Sequence, residues 1–315
     1  FIFKFQCKII MEITAHINHD KIIELLESHL INFENDGGLK KVYQQLINYS
    51  QGILNKNKIS FTSIDNLNSS YKEIISNPNI VELATTIASD LPIFIKSDKE
   101  NAKTIMVCAM DPLPPEPNKK NIKNKIFTDW EKRGFNLNND IGFWAPFSLI
   151  DQGMGPNNVF FKELKSDYNL YVTDIYKIFF YIDKGNNHFA KSNSIKEYKN
   201  LTIHGKILTG EIEIIKPHFI ITLGNDARNA LLKINNEIAG SEKQKADKWD
   251  ENNEIQKYKF NETTILSSPH ISGSANGAKK HILKNSIYKN ITDVNNLIEV
   301  QKLARIILYT ASFKI

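Results

Sequence analysis

Four short apolar runs recur along the second two-thirds of the chain: TIMVCAM (104–110), NLYVTDIY (169–176), HFIITLG (218–224) and TTILSSP (263–269). Each is continuous rather than alternating. A strand with one face in water alternates apolar and polar residues, whereas a continuous run fits a strand covered on both faces, as in a parallel sheet. Helical patterns separate the runs. HGKILTGEIEIIK precedes the third, and DARNALLKI follows it after Gly224-Asn225. Strands alternating with helices predict an α/β fold, a four-stranded parallel sheet flanked by helices. Ligands of such sheets collect at the carboxyl ends of the strands.

The first hundred residues have a different texture. NHDKIIELLESHLINF carries apolar residues at helical spacing, with Asn18 or Asp20 as a cap. GGLKKVYQQLINYSQGIL repeats the pattern after the Gly37-Gly38 break, and NPNIVELATTIASDLPIFI is a third helical candidate. Residues 1–100 are therefore expected to form a helical N-terminal extension, and 101–315 the α/β domain. Met11 is the expected start, so 1–10 stay out of the fold reasoning. Residues 113–140, rich in Pro, Asn and Lys, are expected to be a loop. The charged stretch 235–259 is expected to be a solvated helix or insertion.

Composition removes several classes of protein. With 315 residues, 41% of them hydrophobic, the chain can bury the core of one large domain. No apolar run approaches the ~20 residues that span a bilayer. Two distant cysteines, Cys7 and Cys108, exclude a disulfide framework and a cysteine-rich zinc or iron–sulfur site. An intracellular, cytoplasmic protein is expected. The net charge of +5 permits a polyanionic partner without requiring one.

The residues at the strand ends carry the chemistry. The first run stops at Asp111-Pro112, and three more prolines follow by Pro117. The second carries Thr173-Asp174, with Lys177 one turn on. The third ends at Gly224-Asn225. The fourth runs into Pro269-His270 and then ISGSANGAKK. A parallel sheet brings Asp111, Asp174 and His270 to one edge, where a carboxylate and an imidazole suit acid–base or electrostatic catalysis. The loop after His270 offers Ser272, Ser274, Lys279 and Lys280 as phosphate ligands.

These residues resemble the uracil-DNA glycosylase superfamily. AMDPL (109–113) is similar to its G-Q-D-P-Y motif, and HIS (270–272) to its H-P-S motif. LYVTDIYKIFF (170–180) and EIEIIKPHFIITLGNDARNALL (211–232) resemble two further segments, in the family's order. The resemblance implies hydrolysis of the bond between deoxyribose and a damaged base flipped out of DNA, with no metal or redox cofactor. It implies that Asp111 stabilises the sugar cation and orients water, and that His270 donates a hydrogen bond to the departing base. By the same resemblance, the Met110 amide faces the base. Phe143, or else Trp144, in IGFWAPF (141–147) stacks on the base, and Ser272 grips a DNA phosphate.

Three residues depart from the family pattern. Ala109 stands for glycine and allows a less close backbone approach. Ile271 stands for proline, which leaves its loop less rigid. Asp174 stands where asparagine commonly reads uracil, and an ionised carboxylate offers only acceptors. Three readings of Asp174 are open: burial protonates it, it pairs with Lys177, or the base it meets presents an amino group. The alternatives to a repair glycosylase are a catalytically inactive glycosylase-fold protein that binds DNA or a nucleotide, and an unrelated parallel-sheet hydrolase.

Overall fold

The structure is a computed structural model. It describes residues 13–32, 37–54, 62–76, 84–112, 140–143, 156–186, 188–192, 198–199, 201–237, 254–271, 275–293 and 296–312. The four apolar runs are four strands, β4 (Thr104–Ala109), β6 (Asn169–Asp174), β9 (Phe219–Leu223) and β11 (Thr263–Ser268). They lie side by side and parallel in the order β11-β9-β4-β6. Both flanks are closed by antiparallel strands, β3 (Ile93–Ile95) on β6 and β10 (Gln256–Phe260) on β11.

The continuous runs are explained by two cores. Met106, Cys108, Tyr171, Ile220 and Ile265 enter one hydrophobic cluster, while their neighbours Ile105, Val107, Leu170, Ile221 and Leu266 enter another. Successive side chains point to opposite faces of a strand, so a strand with a core on either side needs apolar residues on both faces, and the polar residues Thr222, Ser267 and Ser268 of β9 and β11 are small and buried. The first core is covered by α1 (His19–His29), α2 (Gly38–Ser50), α3 (Ser69–Ile75), α5 (Leu201–Ile215) and α6 (Asn225–Glu237). The second is covered by α4 (Pro156–Lys165), α7 (Asn276–Lys284) and, beyond the short α8 (Lys289–Thr292), by α9 (Glu299–Ser312). The break before α2 has a backbone cause: Gly37 sits at φ +84°, in the left-handed region.

A second sheet was not foreseen. Its order is β1-β5-β2-β7-β8, with β1 at Thr62–Ser63, β2 at Ala84–Ser89, β5 at Asp140–Gly142, β7 at Ile178–Asp183 and β8 at Phe189–Lys191. Its residues Ile87, Ile141, Ile178 and Phe180 join the first core.

The third helical candidate is corrected. Its described part is β2 and β3, because Thr85, Thr86 and Ile87 are β-branched and both strands find partners. The described residues of the first hundred thus hold three α-helices and also strands of both sheets. The charged stretch 235–259 also differs from expectation: it ends in β10, where Tyr258 and Phe260 are buried and Lys259 is exposed. The loop expected at 113–140 lies outside the described residues except for Asp140.

Candidate functional site

The register of the parallel strands builds the site. Ala109 is opposite Asp174, Cys108 opposite Thr222, and Leu223 opposite Ser268. The last residues of all four strands therefore form one row. Backbone hydrogen bonds carry the row further, from Ile175 N–H to Ala109 O, from Tyr176 N–H to Met110 O and from Gly224 N–H to Ser268 O. Asp111, Asp174 and His270 thus stand at a single sheet edge.

Asp111 is partly buried, and its carboxyl is pushed up to about 6. Burial is the main cause. Lys191 of β8 opposes the shift, and Asp226 at the start of α6 adds to it. The second sheet thus supplies a cation to the edge of the first. Tyr176 belongs to the same neighbourhood, since the charges of Asp111 and Asp226 add to burial in raising its phenol to about 12. Its ring stacks on Tyr198 with centroids 4.9 Å apart.

His270 is partly buried, and its imidazole is held below the usual range by burial and then by the Lys279 charge. It is a neutral ring at neutral pH, with one N–H to donate. Gly224 packs beside the ring at φ +95°, a backbone conformation that favours glycine. A Cβ there would lie 3.5 Å from His270 Cβ and 3.8 Å from its Cδ2.

The segment after His270 is anchored from inside. Ile271 is 2% exposed within the second core. Its carbonyl accepts a 3.1 Å hydrogen bond from Lys279 Nζ. Burial and this bond fix Ile271 itself, the residue that stands in place of the proline. The same contact corrects the expectation for Lys279, which is buried and turned inward rather than offered to a phosphate. Lys280, its neighbour on α7, is exposed. Ser272, Ser274 and Trp144 lie outside the described residues. Met110 is partly buried, and its carbonyl takes the Tyr176 amide. Phe143, just after β5, is 1% exposed and packs in the first core.

Behind the edge lies a charged cluster that sequence reasoning missed, except for Lys177 and Asp174. Lys177 is fully buried. Its Nζ donates to Asp90 Oδ2 at 2.9 Å, to Glu211 at 2.9 Å and to Thr173 Oγ1 at 2.6 Å. Asp90, which follows β2, also accepts from Thr173 Oγ1 at 2.7 Å and from the backbone N–H of Asp174 at 3.0 Å. The ammonium that one reading of Asp174 pairs with it is therefore taken by Asp90 and Glu211. Glu211 is pushed up to about 7 by burial, against the pull of Lys177. The Asp174 carboxyl is raised well above the usual carboxylate range, by burial first and then by the charges of Asp90 and Asp111. Of the readings of Asp174, protonation by burial is the one these surroundings favour. One signal was legible: Glu211 interrupts the apolar stripe of Ile207, Leu208, Ile212 and Ile215 on α5.

Among the described residues, no group of three His, Cys, Asp or Glu side chains is arranged to hold a metal ion. No helix there is long and apolar enough to cross a membrane. What the edge offers is an anionic oxygen that titrates near neutrality, a neutral imidazole N–H, and a buried carboxyl that favours its acid form.

No curated protein matches the chain. A family model described as the uracil DNA glycosylase superfamily matches residues 118–292, which include β6, β9, β11 and His270 and begin just after Asp111. That match covers more than half of the chain, and with the parallel sheet and the residues at its carboxyl edge, the chain belongs to the uracil DNA glycosylase superfamily.

Proposed function

We propose that the protein is a monofunctional DNA glycosylase of base-excision repair, acting in the cytoplasm on uracil or a related deaminated base. A base in duplex DNA must leave the stack before its glycosidic bond can be reached. As that bond breaks, positive charge grows on the sugar and negative charge on the base. Asp111, ionised above about pH 6, faces the sugar, stabilises the cation and orients the attacking water. His270 donates its N–H to the base oxygen that gains charge. As a neutral donor, it stabilises the anion without being a strong acid in the ground state. Asp174 as a neutral acid offers one O–H and one C=O, the donor–acceptor pair that an asparagine would present. On this reading the exposed Lys280 meets a DNA phosphate. Stacking of the base on Phe143 requires that its covered ring become accessible when DNA binds.

The observation that carries this reading is the convergence of Asp111 and His270 on one strand-end row in a chain of this superfamily. The test is excision from oligonucleotides carrying uracil, hypoxanthine, xanthine or mismatched thymine, with Asp111→Asn and His270→Ala as controls. Release by the wild type, lowered by about 10²-fold or more in each variant, is the expected result. No release from any substrate at high enzyme concentration sinks the activity. Equal release by all three proteins sinks the residue roles. Binding without cleavage is the second reading. It draws on the start of the family match at residue 118, beyond Asp111, and predicts DNA affinity with no release.

A further inference from the structure

Three carboxyl groups and one ammonium share the space behind the strand-end row. Asp90 comes from the corner between β2 and β3, Glu211 from α5, Asp174 from the end of β6 and Lys177 from the turn into β7. Asp90, Glu211 and Lys177 are each at most 1% exposed, and Asp174 is 5% exposed. A single buried ammonium balances a single buried anion, and an unbalanced buried charge sheds itself by protonation. The hydrogen bonds identify the anion. Asp90 Oδ2 gathers the Lys177 ammonium, the Thr173 hydroxyl and the Asp174 backbone N–H. Glu211 shares the same ammonium from the other side.

We infer that Asp90 is a positioning residue for the candidate base site: its carboxylate fixes the end of β6 through the Asp174 amide and, by holding the local negative charge, keeps the Asp174 side chain an uncharged acid. Asp174 then serves as both hydrogen-bond donor and acceptor. The groups facing it all bear on its protonation. Asp90, Asp111 and Glu211 favour the acid form and Lys177 opposes it. The Tyr198 phenol and the Cys108 thiol also lie within its field. A neutral acid can turn its O–H to either oxygen. It can pair with an edge that presents a carbonyl and an N–H, or with one that presents a ring nitrogen and an amino group. The base-reading role rests on the glycosylase reading, whereas the protonation does not.

The test uses the full chain and no substrate first. The infrared difference spectrum between wild type and Asp174→Asn is recorded from pH 6 to pH 9. A protonated-carboxyl carbonyl band that is present in the wild type and absent in the variant is the expected result. Its absence across that range overturns the inference, whether or not the protein excises any base. Asp90→Asn is expected to move the disappearance of that band to lower pH by about one unit, a tenfold loss of proton affinity. An unmoved band in a folded Asp90→Asn protein overturns the role given to Asp90. Should that variant fail to fold, Glu211→Gln supplies the second measurement. It leaves the Asp90–Lys177 pair in place, and the band must persist to at least pH 7. With an excised base in hand, the alkaline limb of kcat/KM is expected to vanish in Asp174→Asn while the acid limb stays near pH 6. An unchanged alkaline limb overturns the base-reading role.

Discussion

Replacing Lys177 by Met is the sharpest probe of the buried cluster. The side chain is 0% exposed, and its partners Asp90 and Glu211 are 1% and 0% exposed. Removing one partner of a buried pair typically costs 3–5 kcal/mol, because the remaining charge has no counter-ion. Here Glu211 can shed its charge by taking a proton, since its carboxyl already titrates near 7. Linkage fixes the sign. A carboxyl whose folded pKa lies above its unfolded value binds a proton more tightly in the native state. Stability therefore falls as pH rises through that window, by about 1.4 kcal/mol per unit. In the wild type the window runs from the ordinary 4.5 to about 7. Without the ammonium that holds Glu211 down, the window extends upward, so the deficit of Lys177→Met grows from pH 6 to pH 8. With a urea slope of about 2 kcal/mol per molar, a loss of about 4 kcal/mol lowers the unfolding midpoint by roughly 2 M at pH 8. The assay is urea unfolding tracked by circular dichroism at both pH values. The triple variant Lys177→Met, Asp90→Asn, Glu211→Gln is expected to recover part of the loss. A deficit under about 1 kcal/mol at pH 8, with cooperative unfolding kept, refutes the reasoning.

The strand-end row yields three further expected outcomes. The acid limb of kcat/KM for excision is expected to rise about tenfold per unit up to about pH 6, as Asp111 ionises, and to reach its plateau there before any alkaline fall; a profile flat from pH 4.5 to 7 removes Asp111 from the reaction. Gly224→Ala strains a φ of +95° while its Cβ meets His270 at ordinary contact distance, so a loss of about 1 kcal/mol in thermal unfolding is expected. Lys279→Met frees the Ile271 carbonyl and the start of the loop beyond it. Faster proteolysis near residue 272 is expected, and an unchanged cleavage pattern counts against the anchor.

The four central strands were legible because burial on both faces favours apolar or small polar residues at successive positions, a signature that needs no structural knowledge. The candidate residues were legible for a related reason, since Asp111 and His270 stand where such runs stop and Asp174 is the one carboxylate inside a run. The second sheet was not. Three of its strands, β1, β5 and β8, are only two or three residues long. The segment containing β2 and β3 also satisfies helical spacing, so the partners β7 and β6 decide its state rather than the local pattern. β10 hid inside a charged run, although the burial of Tyr258 and Phe260 two positions apart is a strand period. Asp90 was beyond reach. A lone aspartate before a Leu-Pro step reads as a turn former, and only a fold that brings residues 87 positions apart together reveals its bond to Lys177.

The antiparallel strand β3 has a practical consequence for anyone who cuts this chain. Residues 93–95 close the flank of a sheet whose other members begin at residue 104, and Asp90 lies just before them. A fragment beginning at 101 exposes the hydrogen-bonding edge of β6 to any passing strand and strips Lys177 of one anion. A fragment limited to the family match, 118–292, also lacks β4, the strand between β9 and β6. The matched stretch leaves out the residues that complete the flank of the first sheet and the buried cluster, which lie at 90–95, and the helices α1, α2 and α3 over the first core, which lie earlier still.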